Sequence, residues 1–199
     1  MKKSSVILLL LAIVLGTTLV VAQEQPPAGT KVAPLPQPKP GSWWLLKDAA
    51  FGEVKVELKS VEEGKFVLKV EERGLTYDAP TTNEWNGIEV HGRRGGWVTF
   101  NPHSRSFSFP LWEGKKWGGP VTTKSTVGRG DVFNVQVEAK RWETITVPAG
   151  TFEAMRVEIS GGAAGTGTCW YAPEAQRAVK CETTGPGRNY ELLKYEIKR

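Results

Sequence analysis

Hydrophobic and polar residues alternate one by one through two adjoining stretches near the start of the chain. In the first, at residues 53–59, valine and leucine alternate with charged residues, and residues 66–71 repeat the pattern. A period of two predicts strands that have one buried face and one solvated face. The loop between them, residues 61–65, contains Gly64, which can adopt a left-handed turn conformation. The pattern therefore predicts a β-hairpin.

Charge selects the register of this hairpin. One pairing sets Glu57 opposite Lys69 and Lys55 opposite Glu71, and it also places apolar residues opposite each other. A shift by two residues would instead oppose Lys55 to Lys69, and like charges directly opposite are unfavourable. We therefore predict the register in which opposite charges face each other.

Further stretches with strand character follow at the spacing of all-β folds, and no window shows a sustained helical stripe. We expect one antiparallel domain, residues 42–199, of about ten strands in a strongly curved sheet, a sandwich or a partly open barrel. Besides the first hairpin and the cysteine segment, the predicted strands are residues 85–90, 96–101, 106–109, 131–138, 142–147, 151–159 and 189–197.

Both cysteines lie in one short segment that has the pattern of a hairpin. If Ala172 faces Ala178 across the loop, antiparallel pairing places Cys169 opposite Cys181 and Trp170 on the other face. Directly opposed residues have Cβ atoms about 4.5–5.5 Å apart, within reach of a disulfide after slight adjustment. Two free thiols are the alternative, and the opposed spacing favours the bond.

The N-terminus has the features of an export signal. Lys2 and Lys3 precede an apolar run at residues 6–21, and Ala22 offers a small residue at a cleavage site. This predicts a signal peptide at residues 1–22, with an uncleaved membrane anchor as the alternative. No cysteine follows the run, so we expect no lipid attachment there. Residues 23–41 carry six prolines and predict an extended linker or a disordered N-terminus.

Export and charge limit the partners. Loss of Lys2 and Lys3 lowers the formal net charge from +5 to +3, which is too balanced to indicate a nucleic-acid partner. Two cysteines and an export signal fit an oxidising compartment, so we predict a periplasmic or extracellular protein. Contact with a membrane is expected only if the signal segment is retained.

Three local patterns occur together in the second half of the chain. They are PLWEGKKW at 110–117, VPAGTF at 147–152, and WYAPE at 170–174. In this order and spacing they resemble an exported bacterial family, the domain of unknown function 3108-like group, also labelled TapB-like, over roughly residues 85–197. The resemblance implies an extracytoplasmic, mostly β domain, and it supplies no substrate, cofactor or catalytic residue. The cysteine pair departs from the family pattern, which suggests a lineage-specific staple.

Eight tryptophans are the unusual feature of the composition. Several are expected to fill the core, but the segment between Trp112 and Trp117 has the composition of a loop. Aromatic rings on loops above a sheet suit stacking on sugars or contact with apolar ligands, although they could instead plug one end of the fold. We expect at least one of these two rings to be exposed near a concavity. The candidate ligand-binding residues are Trp112, Trp117, Trp97 and Trp85.

Catalytic and metal-binding patterns are weak. His91 and His103 lie in separate turns without clustered partners, which indicates exposed turn histidines rather than metal ligands. No serine stands in a nucleophile elbow, and the glycine-rich residues 161–167 lack the helix of a phosphate-binding loop. We therefore predict no catalytic residue, no metal and no cofactor. A carboxylate pair of the glycosidase kind cannot be recognised from sequence spacing.

Three functions follow from these patterns. The first is a non-catalytic cell-envelope module that binds a small apolar, glycan or protein ligand. The second is a hydrolase of cell-wall or extracellular polysaccharide, for which two carboxylates about 5–10 Å apart in a cleft would be evidence. The third is a structural component of an envelope assembly.

Overall fold

The structure is a computed structural model that describes residues 25–92, 96–162, 165–185 and 187–199. The predicted signal peptide at residues 1–22 lies outside these ranges. None of the described residues forms a helix that is long and apolar enough to cross a membrane. The described ranges contain β1 (Val32–Ala33), β2 (Trp43–Asp48), β3 (Gly52–Glu62), β4 (Lys65–Glu72), β5 (Leu75–Thr82), β6 (Glu89–His91), β7 (Trp97–Asn101), β8 (Leu111–Trp112), β9 (Lys116–Ser125), β10 (Val132–Val147), β11 (Gly150–Gly162), β12 (Gly165–Ala172), β13 (Arg177–Thr183) and β14 (Tyr190–Glu196).

Twelve of these strands form one antiparallel sheet, in the order β5-β4-β3-β2-β14-β13-β12-β11-β10-β9-β7-β6. The two edge strands approach each other, because Thr81 of β5 forms an isolated bridge with Gly87, just before β6. The sheet is thus nearly closed into a barrel, and β1 and β8 form a small second sheet. The predicted all-β antiparallel fold is confirmed in its partly open barrel form, with more strands than the ten expected.

The first hairpin has the predicted register. Lys55 faces Glu71 and Glu57 faces Lys69 in the pairing of β3 with β4. The closest ion pair runs along a strand rather than across the ladder, since Lys69 Nζ lies 2.6 Å from Glu71 Oε1. The loop is shorter than predicted because both strands extend to the turn, where Gly64 has a φ of 66°. Alternation and charge therefore predict the pairing as far as Leu58, and a bulge at Lys59 shifts the register beyond it.

Several other strand predictions are wrong in position. Residues 106–109 do not form a strand. Of the stretch predicted at 85–90, only the residues that belong to β6 do. The strands β5 and β9 were not expected, and each contains a proline. The two strands predicted at 131–138 and 142–147 are one continuous strand, β10, with a bulge at Lys140.

The cysteine hairpin is confirmed with one correction. Cys169 and Cys181 are directly paired and joined by a disulfide, with a Cα–Cα distance of 4.1 Å. A bulge after Trp170 shifts the remaining register, so that Ala178 faces Tyr171 rather than Ala172 as predicted. The bulge changes the face toward which the following residues point, because side chains alternate along a strand.

Buried side chains form two clusters on opposite faces of the central strands. Ala154 and Met155 are neighbours in β11 and point to opposite faces, yet both are buried. Ala154 belongs to the cluster around Trp44, the Trp44 core, and Met155 to the cluster around Tyr171, the Tyr171 core. The central strands therefore contribute alternate side chains to two separate cores, one on each face of the sheet.

The proline-rich segment lies against the domain, in contrast to the extended or disordered stretch that its composition favoured. Val32 of β1 pairs with Trp112 of β8, and Ala33 is fully buried in the Tyr171 core. The Gln37 amide also donates a hydrogen bond to Gln176 Oε1 at 2.7 Å. The few apolar side chains of this segment are enough to dock it on the sheet.

Candidate functional site

The structure separates the four candidate tryptophans instead of grouping them. Trp112 is only 4% exposed, so its ring offers little surface for contact with a ligand. Trp85 is part of the interior: its ring centroid lies 5.1 Å from that of Trp44, and its Nε1 donates to the Gln176 carbonyl at 2.8 Å. Trp97 is half-buried and packs edge-on against Tyr77 near the seam of the barrel.

Trp117 is half-buried and belongs to β9 rather than to a loop. Its Nε1 donates to the Arg105 carbonyl at 2.9 Å, and it packs against the Tyr171 core. Its neighbour Lys116 points to the opposite face of the sheet, where a concavity lies. Trp117 thus lines a concavity, as expected, while its Nε1 is held on the side of the Tyr171 core.

Lys115 explains why the segment between the two tryptophans is structural. Its side chain is buried, and its Nζ donates to the carbonyl oxygens of Ser108 at 2.6 Å and Pro110 at 3.0 Å. The ammonium group also lies 4.5 Å from the centroid of the Trp112 ring. Lys115 therefore fastens the loop before β8 over the Tyr171 core, a role that the lysine-rich composition concealed.

The concavity, here called the outer groove, crosses strands β9 to β12 and has a volume of about 610 Å³. Cross-strand pairing aligns Lys116 with Glu138, Glu138 with Glu158, and Glu158 with Thr168, so these side chains share one face. Every side chain on that face of the groove is polar or charged. They are Lys116, Gln136, Glu138, Glu158, Ser160, Thr166 and Thr168.

Lys140, the bulge residue of β10, lies beside the groove and forms ion pairs with its two carboxylates. Its Nζ is 3.0 Å from Glu138 Oε2 and 3.7 Å from Glu158 Oε2. The hydrogen bond from Lys140 lowers the pKa of Glu138, and the same bond raises the pKa of Lys140. Glu138 is therefore ionised at neutral pH, which suits the recognition of charge more than the donation of a proton.

A second polar group, which the sequence analysis missed, lies inside the barrel. This inner charge cluster consists of Asp48, Glu72, Tyr77 and Arg188. Arg188 Nη2 donates to Glu72 Oε2 at 2.8 Å, and the Tyr77 hydroxyl donates to Glu72 Oε1 at 2.7 Å. Desolvation lowers the pKa of Arg188, but the hydrogen bond and charge of Glu72 outweigh it, and the resulting pKa is raised. Burial likewise raises the pKa of Tyr77.

The sequence did carry a signal for this cluster. Asp48 follows Trp44 and Leu46 at the spacing of two that marks the buried face of β2, and Glu72 follows Leu68 and Val70 in the same way on β4. An acidic residue in the buried phase of a strand needs a partner, because an unpaired buried charge is strongly unfavourable. The position of Asp48 and Glu72 in the alternating pattern therefore predicts that both are buried. Only the tertiary structure shows that Arg188 is their partner.

The two histidines are less exposed than predicted. The His91 side chain is 19% exposed, belongs to β6, and has its Nδ1 3.9 Å from Glu72 Oε1. His103 is half-buried, and its Nδ1 contacts the Ser104 carbonyl oxygen. Within the described ranges, no three side chains of histidine, cysteine, aspartate or glutamate gather as a metal site would require.

A small cavity of about 90 Å³, here called the inner cavity, lies between the Trp44 and Tyr171 cores. The candidate residue Trp85 contributes to the wall of this cavity. The lining residues are Leu68, Thr81, Trp85, Phe107, Arg177, Ala178 and Tyr190. The volume is well below the ~300–1,000 Å³ of usual ligand pockets, so the inner cavity cannot hold an apolar ligand of ordinary size.

No protein-family model and no curated protein sequence matches the chain, so the resemblance to the domain of unknown function 3108-like group is not confirmed. A solved structure from Parabacteroides distasonis, described as a "putative lipoprotein", is similar to this chain at 16% sequence identity and a TM-score of 0.44. The match covers 83% of this chain and all of the other. A likeness of this strength carries no conclusion about function.

Proposed function

We propose that this protein is an exported, non-catalytic binding module whose outer groove takes a polar ligand, most readily a charged protein segment of the cell envelope. The observation that carries the proposal is the groove itself. It has a volume of about 610 Å³, and lysine, glutamate, glutamine, serine and threonine make up most of its lining, with Trp117, Val137 and Ile159 at the intervening positions. Charges of both signs give specificity to a partner of complementary pattern.

Of the three ligand classes expected from the sequence, the apolar class has the least support. The barrel interior is filled by the Trp44 and Tyr171 cores, and the inner cavity measures only about 90 Å³. The glycan class depended on aromatic rings above the sheet, but Trp112 is buried, and Trp117, although it lines the groove, is half-buried against the Tyr171 core. A charged protein segment can bind through polar and ionic contacts alone, without an apolar cavity or exposed aromatic rings.

Export is supported by the disulfide between Cys169 and Cys181. Disulfides form and persist in oxidising compartments and are rare in the cytosol. A periplasmic or extracellular site of action remains part of the proposal.

Hydrolysis of a polysaccharide is the second candidate, and one observation favours it. Glu138 and Glu158 are directly paired across β10 and β11 and both line the groove, as a catalytic carboxylate pair would. A glycosidase, however, needs one carboxyl group of raised pKa as the general acid. The lowered pKa of Glu138 and the ion pairs of both carboxylates with Lys140 favour binding instead.

The test compares three forms of the exported protein: wild type, Glu158→Lys in the groove, and Glu53→Lys on the exposed face of β3. Each is immobilised and incubated with envelope extract, and the retained proteins are identified by mass spectrometry. We expect a partner that wild type and Glu53→Lys retain and that Glu158→Lys loses. Equal retention by all three forms would contradict a binding role for the groove.

Two further measurements separate the other candidates. If the protein co-sediments with purified cell-wall sacculi, and Glu158→Lys abolishes this, the ligand is a glycan rather than a protein segment. Release of reducing sugar from the same sacculi, abolished in both Glu138→Gln and Glu158→Gln, would establish the hydrolase instead of the binding module.

A further inference from the structure

Arg177 presents unpaired hydrogen-bond donors at the inner cavity. Its Nε and Nη1 atoms are buried and have no hydrogen-bond partner among the described residues, and the same holds for the Thr81 hydroxyl oxygen. Both residues line the cavity. A guanidinium group can only donate hydrogen bonds, and a threonine hydroxyl can donate one. The hydroxyl groups of Thr81 and Tyr190 on the same wall can accept a hydrogen bond from Arg177, but neither carries the negative charge that would balance the guanidinium group.

The charge of Arg177 has no counter-ion among the described residues. The carboxylates of Asp48 and Glu72 lie within ion-pair distance of Arg188, and neither lies within that distance of Arg177. The rings of Trp44 and Trp85 flank the guanidinium group, with centroids 5.6 and 5.0 Å from its Cζ atom. Burial lowers the pKa of Arg177, yet arginine keeps its proton in proteins, so a positive charge remains inside the barrel.

The size of the cavity restricts the possible counter-ion. A water molecule takes a share of about 30 Å³ in the liquid, so a volume of about 90 Å³ admits two or three such molecules or one small ion. Leu68, Phe107 and Ala178 supply apolar walls, which exclude a second charged group. A chloride or nitrate ion is small enough, whereas an organic acid such as gluconate is not.

We propose that the inner cavity is a binding site for one small monovalent inorganic anion of chloride or nitrate size, held by Arg177 Nε and Nη1 and by the Thr81 hydroxyl. The site is separate from the outer groove, because it lies on the interior side of the barrel wall. The anion completes the interior by supplying the negative charge that balances the guanidinium group of Arg177.

The test is thermal unfolding of the disulfide-bonded protein at constant ionic strength, with sodium gluconate replaced stepwise by sodium chloride, nitrate or phosphate. A ligand that binds only the folded state stabilises it in proportion to the logarithm of its concentration above Kd, so we expect Tm to rise by ~2–5 °C as chloride or nitrate increases to about 200 mM. Phosphate, which is larger and more highly charged, should give a smaller rise. An equal rise in every anion, or a rise in phosphate alone, would overturn the proposal.

Variants assign the effect to the cavity. Arg177→Met keeps an unbranched side chain but removes the donors and the charge, and it should abolish the chloride dependence of Tm. Thr81→Val keeps the shape of the side chain and should weaken that dependence, which preserves the test if Arg177→Met does not fold. Arg141→Met, which alters an exposed arginine, is the matched control and should respond to chloride as wild type does.

Chloride-35 NMR provides a readout that does not depend on stability. Exchange with the folded wild type should broaden the chloride resonance, and Arg177→Met or Thr81→Val should reduce this excess broadening while Arg141→Met does not. The absence of excess broadening in wild type, or equal broadening in all four proteins, would overturn the proposal and leave ordinary water as the partner of the buried donors.

Discussion

The inner charge cluster and the outer groove use the same residue types in opposite ways. The side chains of Asp48 and Glu72 are each 1% exposed, whereas those of Glu138, Lys140 and Glu158 are 32–39% exposed. Inside, Arg188 lies within ion-pair distance of both carboxylates, and the Tyr77 hydroxyl donates a second hydrogen bond to Glu72. Outside, Lys140 pairs with both carboxylates, Arg156 also pairs with Glu158, and water reaches all of these groups.

The difference shows that solvent access decides whether a charge maintains the fold or remains available to a ligand. A buried ion pair that loses one partner leaves an uncompensated charge, so each member is indispensable once the cluster exists. An exposed pair contributes little to stability, because water and salt replace the partner at small cost. The groove charges can therefore exchange their partners for those of a ligand without unfolding the protein.

The largest effect is expected from Glu72→Ala. This change leaves the Arg188 guanidinium without its closest carboxylate and the Tyr77 hydroxyl without its acceptor, and it should lower the free energy of unfolding by about 3–5 kcal/mol. Urea denaturation measures it. Glu71→Ala, on the neighbouring solvated position, is the control and should behave as wild type. Equal midpoints for the two variants would remove the distinction between inner and outer charges.

Removal of the disulfide should have the next largest effect. The bond closes a loop with a sequence separation of 12, so loop-closure entropy gives an upper limit on the order of 3 kcal/mol for its contribution. The double variant Cys169→Ser with Cys181→Ser should melt at a lower temperature, retain its β circular dichroism, and bind at the outer groove as wild type does. Alkylation of the exported wild type without reductant should label no cysteine, and two labelled thiols would refute the bond.

Glu84 is intermediate between the two regions and offers a test by pH. Its Oε1 accepts a hydrogen bond from the Phe109 amide at 2.7 Å, and burial raises its pKa despite that bond. A raised pKa means that protonated Glu84 contributes stability below its unfolded pKa, and that this contribution is lost as the pH rises through the folded value. Glu84→Gln is neutral throughout and keeps the acceptor. The Tm of wild type relative to Glu84→Gln should therefore fall by a small amount as the pH rises above the unfolded glutamate pKa of about 4.3. If the Tm of wild type instead rises relative to that of Glu84→Gln over this pH range, burial does not raise the pKa of Glu84.

The smallest effect is expected from Glu138→Gln in the outer groove. Because Glu138 is solvated and Lys140 retains Glu158 as a partner, the melting temperature should not change measurably. Differential scanning calorimetry at low and moderate salt would check this. A loss comparable to that of Glu72→Ala would show that the groove charges are structural and would count against their role in binding.

The amino-acid sequence by itself determined the local pairings. In the first hairpin, alternation set the faces and the charges of Lys55, Glu57, Lys69 and Glu71 selected the register, since each acts between adjacent strands. The same reasoning located the pair Cys169 and Cys181. It missed the shift beyond Trp170, because a bulge changes the register without any mark in the alternating pattern.

Only the tertiary structure decided the residues whose role depends on distant neighbours. β9 was missed because Gly118 and Gly119 lack strand propensity, yet an added Cβ at Gly118 would lie 2.1 Å from the Val135 carbonyl oxygen, so the close approach of β10 requires glycine there. Trp112 and Lys115 resemble a loop in composition and become buried because β1 pairs with β8. The partner of Glu72 lies 116 positions away, and Arg177 faces a cavity formed by five separate segments. Alternation reports which side chains point inward, but only the closure of the sheet determines which of them meet.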